Sequence, residues 1–144
     1  MFKNILTKLM AGAMGIMIMA SAGSMVYASN YHDTSAVLSL DETVGIGEAY
    51  TNGRAKEDAT SGYIKGVSST GNLSYTAALV ACDSNGGDNY FENFKLFYKT
   101  VRNGNSYYFT NYVKESGYNY AAIKTLSEHE VAYTIRFLWS PDSI

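Results

Sequence analysis

The sequence has almost nothing with which to cross-link or to coordinate. It holds one cysteine and two histidines in 144 residues. A single cysteine excludes an internal disulfide. Cys82 ends an apolar run, Leu79-Val80-Ala81-Cys82, and reads as a small buried hydrophobe, with an intermolecular disulfide as the alternative. His32 lies in a polar lead-in, and His129 stands between Glu128 and Glu130. Neither has a second His or Cys at metal-ligand spacing, so no metal and no cofactor are expected.

Catalytic patterns are equally scarce. No glycine-rich loop follows a strand and opens a helix, and no serine sits in a nucleophile elbow. Most of the 13 acidic residues fall in turn-like segments, such as Asp41-Glu42, Glu57-Asp58 and Asp83 with Asp88. The segment from Asp83 to Asp88 lacks the alternating ligands of a calcium loop. A carboxylate pair drawn from distant strands stays open, which keeps a carboxylate-dependent hydrolase as the third-ranked reading.

Methionine is absent after residue 25, although six methionines precede that point. The first 28 residues read as a signal peptide. Lys3 and Lys8 charge a short n-region, residues 9–20 are apolar and uncharged, and Val26-Tyr27-Ala28 supplies a cleavage site. The expected product is a secreted domain of residues 29–144, with no stable membrane anchor. Without Lys3 and Lys8 it carries nine basic against 13 acidic side chains. Its cations are scattered singly, so nucleic acid and anionic lipid are not expected as partners.

No segment after residue 28 repeats apolar residues at helical spacing, and the only proline is Pro141. Twelve of the 13 tyrosines lie in this part, together with Asn-Gly and Gly-Gly turn signals. Tyr and Thr favour strands, while Gly and Asn favour turns. Strands are expected over 36–40, 43–50, 63–68, 73–81, 90–102, 106–115, 118–126 and 131–139. Residues 51–61 read as a solvated loop. The fold class is therefore all-β, a single-domain antiparallel β-sandwich of about seven or eight short strands, with a closed barrel as the alternative.

The last strand has the clearest period. Val131, Tyr133, Ile135, Phe137 and Trp139 fall on one face, which is expected to be core. Residues 73–81 are apolar on both faces, as in a central strand. Asn103-Gly104 is the strongest hairpin signal. A two-residue turn there pairs Arg102 with Asn105 and sets Lys95 across from Tyr112 and Lys99 across from Tyr108. Phe94, Leu96, Tyr98 and Phe109 then point inward. Lys95, Phe97, Lys99, Tyr108 and Tyr112 form the outer face, the candidate binding surface, with aromatic area and cation–π character.

Two short motifs carry a resemblance. One is Tyr50-Thr51-Asn52-Gly53-Arg54, and the other is the ending Trp139-Ser140-Pro141-Asp142 after an alternating strand. With Asn111-Tyr112 and Glu115-Ser116-Gly117, they resemble a group of small secreted all-β proteins of Gram-positive bacteria. That group has no established function, and some members are associated with bacteriocin export. A fainter similarity, at Ser29-Asn30-Tyr31-His32, is to lactococcin-type β-sandwich bacteriocins. The expectation is a secreted, non-enzymatic interaction protein, acting on an extracellular protein or a cell-wall carbohydrate. An antimicrobial bacteriocin is the second reading.

Overall fold

The computed structural model describes residues 32–45 and 47–143. The expected signal peptide and the segment 29–31 lie outside these residues. Ten strands follow in order: β1 Thr34–Asp41, β2 Glu48–Tyr50, β3 Arg54–Ala55, β4 Gly62–Ser69, β5 Tyr75–Cys82, β6 Tyr90–Phe91, β7 Lys99–Val101, β8 Ser106–Phe109, β9 Tyr120–Ser127 and β10 Ala132–Ser140. Among the described residues the only helical pieces are 3-10 turns at Glu42–Val44 and Thr70–Asn72.

The strands form two antiparallel sheets packed face to face, as expected for a sandwich. One sheet has four strands in the order β1-β10-β4-β8. The other has six. Its path runs β2-β9-β5-β6, with β3 also on β9 and β7 also on β5. The core between the sheets is filled by the alternate residues of each strand, because successive side chains point to opposite faces. β5 supplies Tyr75, Ala77, Leu79 and Ala81, and β10 supplies Tyr133, Ile135, Phe137 and Trp139. The period of the last strand is thus a core face from Tyr133 onward. Val131 precedes the strand and is 48% exposed, so it does not belong to that face.

β5 is buried on both faces, as its composition requires. On the outer side Val80 and Cys82 join Ala122 in a second small cluster, covered by Tyr50, Tyr90, Leu96 and Tyr120. Cys82 is a buried free thiol, and burial pushes its pKa up.

The expected central hairpin does not form. Asn103-Gly104 does make a tight turn: Asn105 N–H donates to the Arg102 carbonyl at 3.2 Å, and Gly104 adopts φ +83°. The chain on either side then parts. β7 joins β5 in the six-stranded sheet, with Ala77 opposite Lys99. β8 joins β4 in the other sheet, with Tyr63 opposite Tyr108. The turn is held by Gly66 of β4, whose N–H donates to the Asn105 carbonyl at 3.0 Å and whose carbonyl accepts from Gly104 N–H at 2.8 Å. A Cβ on Gly66 would stand 2.5 Å from the Arg102 carbonyl oxygen, so this docking needs glycine. The turn therefore serves as a corner between sheets. The long strands expected over 90–102 and 106–115 are reduced to β6, β7 and β8.

Residues 51–61 also differ from the expected solvated loop. Thr51, Gly53 and Lys56 are buried. A Cβ on Gly53 would lie 2.3 Å from the Ser84 carbonyl oxygen. Gly53 bonds both ways to the 83–89 turn, donating to Gly87 O at 2.8 Å and accepting from Gly86 N–H at 2.7 Å.

Candidate functional site

Three of the five residues of the expected surface stay together. Phe97 and Tyr112 meet edge to face at 5.4 Å. The Lys95 ammonium lies 5.0 Å from the Phe97 ring centre. Tyr112 is 41% exposed. The other two are placed elsewhere by the split at Asn103-Gly104. Lys99 is on β7 in the six-stranded sheet, and Tyr108 on β8 packs beside Tyr63 at 5.4 Å in the other. The ladder pairs Lys95–Tyr112 and Lys99–Tyr108 are absent for the same reason. Of the residues expected to point inward, Phe109 is fully buried and Phe94 packs on the core. Leu96 covers the outer cluster instead, and Tyr98 is 44% exposed.

The two motifs at Tyr50 and Trp139 meet in space, which their sequence separation concealed. Arg54 donates from Nη1 to the Trp139 carbonyl at 2.9 Å and from Nη2 to the His32 carbonyl at 2.7 Å. Its guanidinium lies 5.2 Å from the centre of the Trp139 ring, a cation–π contact. Two residues on, Lys56 Nζ is 2.9 Å from Asp142 Oδ1, and both side chains are fully buried. The ammonium also donates to the Thr60 and Pro141 carbonyls at 2.7 and 2.8 Å. The second Asp142 oxygen accepts from Glu57 N–H at 2.9 Å. A buried ion pair is tolerated only when its remaining hydrogen-bonding capacity is met, and here all three ammonium protons are engaged. Sequence reading found the motif but not this chemistry. Lys56 stands in the most polar stretch, and nothing local marks it as interior.

Two polar clusters lie on the outer side of the six-stranded sheet. In the first, Lys124 Nζ is 2.8 Å from Glu92 and 3.5 Å from Glu48. Tyr50 donates to Glu92 at 2.7 Å and stacks on Tyr90 at 4.2 Å. Burial raises the Tyr50 pKa, and its bond to Glu92 adds to the rise. Burial pushes Glu92 upward, but the bonds from Lys124 and Tyr50 outweigh it and hold the carboxyl below its usual range. Burial works against the charged form of Lys124, and the bonds to Glu92 and Tyr50 more than restore it.

In the second cluster Glu128 accepts from the hydroxyls of Ser74, Thr76 and Thr100 at 2.7, 2.6 and 3.1 Å. Burial raises the Glu128 carboxyl, and these bonds together bring it below the usual range. His129 Nε2 is 3.5 Å from Ser74 Oγ. A serine nucleophile needs its proton directed to a base that a third group orients. Here the Ser74 proton goes to the carboxylate itself, so the three residues tie the sheet end together. Among the described residues no group of three or more His, Cys, Asp or Glu could hold a metal ion. In the 83–89 turn, Asp83 Oδ1 accepts from Ser84 Oγ at 3.1 Å.

A cleft of about 340 Å³ opens where the two sheets part. Residues 34–38 form part of its lining, with residues 50–54 and Trp139. The Tyr50 motif and the first residue of the C-terminal motif thus both border it. A shallower hollow of about 500 Å³ lies near the turn after β1, with Glu42 and Glu48 at its rim.

Neither a curated protein nor a solved structure matches the chain. The pattern of one family covers residues 24–143, which includes every strand and both motifs. The chain belongs to that family, DUF2712, a group of proteins of unknown function.

Proposed function

We propose that this chain is a secreted, non-enzymatic binding protein that works outside the producing cell, at the bacterial envelope. The observation that carries the reading is the surface group of Lys95, Phe97 and Tyr112, an edge-to-face aromatic pair with a cation over one ring. Aromatic rings offer flat apolar area to a sugar ring, while the tyrosine hydroxyl and the ammonium serve its hydroxyls. Cell-wall carbohydrate is therefore the ligand class proposed. The signal-like prefix of the sequence supports export. The polar clusters around Lys124 and Glu128 satisfy one another, which favours a structural role for them over a catalytic one.

The test is retention on purified cell-wall material. A Phe97→Ala/Tyr112→Ala variant should melt close to the parent protein and lose retention. Unfolding of that variant, or unchanged retention, would overturn the assignment of this surface. Inhibition of related Gram-positive strains by the purified parent protein would replace the reading with the antimicrobial one.

A further inference from the structure

Among the described residues, no strand pairs with the outer edge of β1. β1 pairs with β10 over eight residues, Thr34↔Trp139 to Asp41↔Ala132, without a break. In such a ladder every second residue turns its N–H and carbonyl away from the partner strand. None of the turn, loop or side-chain hydrogen bonds among the described residues reaches the backbone of residues 34–40. Natural edge strands are usually blunted by lysine, proline, a bulge or a covering segment. Residues 34–40 contain no charge and no proline. Val37 is 57% exposed, and the cleft beside residues 34–38 leaves room along the strand.

Carboxylates outnumber cations around this edge: Asp41 and Glu42 stand at one end of β1 and Asp33 at the other, Arg54 lines the cleft, and Glu48 is held by Lys124 at 3.5 Å. Asp33, Asp41, Glu42 and Glu48 are the only charged side chains from residue 33 to residue 53. Arg54, the next cation along the chain, bonds the Trp139 and His32 carbonyls and faces the carboxylates of Asp33 and Asp142. Arg136 stands opposite Val37, one strand in from the edge.

From these observations we infer that the β1 edge accepts an extended, basic segment of a partner protein as an additional strand. The free backbone groups recognise an extended main chain. The inward side chains of the added strand would enter the cleft, and its flanking cations would meet Asp41, Glu42 and Asp33. A second copy of this chain is the less suitable occupant. It would bring its own Asp33, Asp41 and Glu42 to the same seam, and like charges disfavour pairing. The inference concerns a different face from Lys95, Phe97 and Tyr112 and does not depend on that surface.

The probe is a fluorescein-labelled peptide, Lys-Val-Thr-Val-Thr-Val-Thr-Lys, titrated with the folded protein and followed by anisotropy. It should bind at least about tenfold more tightly than the same peptide ending in Glu at both positions. An added strand bonds through one of its two edges. N-methylation of one alternate set of peptide nitrogens should therefore abolish binding, and methylation of the other set should leave it nearly intact. Asp41→Asn/Glu42→Gln should narrow the difference between the Lys and Glu peptides. No binding, equal loss with both methylated sets, or equal affinity for the two end charges would overturn the inference. A concentration-dependent dimer in light scattering that Val37→Lys dissolves would also overturn it, because the edge would then belong to a second copy.

Discussion

The Lys56–Asp142 pair gives the sharpest test of how the C-terminal motif works. Both side chains are fully buried, and the residues are 86 positions apart. Asp142→Ala leaves an ammonium inside the protein with only the Thr60 and Pro141 carbonyls, and leaves Glu57 N–H without its acceptor. Removing one partner of a buried pair costs about 3–5 kcal/mol, since an uncompensated charge remains. A domain of this size has only about 5–15 kcal/mol in hand. The melting temperature should fall by about 10 °C or more. Urea unfolding followed by tryptophan fluorescence is well placed to read this. Trp139 is the only tryptophan, is buried, and lies three positions before Asp142. Lys56→Met should cost a similar amount. The double variant Lys56→Met/Asp142→Ala removes both charges and should lose less than the two single losses combined, by about 2 kcal/mol or more. Single losses below about 1 kcal/mol, or losses that simply add, would refute the idea that this pair clamps the tail onto the 54–60 segment.

Three further outcomes are expected. Phe137→Ala should cost about 3–5 kcal/mol because the ring is fully buried, whereas Val131→Ala, at an exposed site before β10, should stay within about 0.5 kcal/mol; similar losses would undo the core assignment of the strand. Cys82, buried and with a thiol pKa raised by burial, should react with a thiol reagent only after denaturant is added, and rapid labelling of the native protein would contradict its placement. Glu92 and Glu128 have folded pKa values below their ordinary 4.5. Their contribution to stability is therefore present above that value and lost as pH falls through the folded pKa. Glu92→Gln and Glu128→Gln should each flatten the acid side of a stability–pH profile, and an unchanged profile would show that neither cluster supports the fold.

The sequence by itself determined what period and composition can determine. Alternation of large apolar residues defines β10 from Tyr133 to Trp139, because a half-buried strand must place every second side chain in the core. A run apolar on both sides marks β5 as interior. Turn residues locate the corners, and the absence of helical spacing leaves only sheets. The same local rules could not say which strands pair. Asn103-Gly104 specifies a tight turn, yet whether the flanking strands continue as a hairpin depends on a distant competitor. Gly66 lacks a Cβ and lets the turn dock on β4, so Lys99 and Tyr108 end in different sheets and only Lys95, Phe97 and Tyr112 remain neighbours. Lys56 was unreadable for a related reason. A charge in a polar stretch is solvated unless something far along the chain compensates it, and Asp142 does so only after both sheets have closed. Pairing, corner and clamp are contacts between residues far apart in sequence. Their free energy depends on the packed whole, and no window of residues contains it.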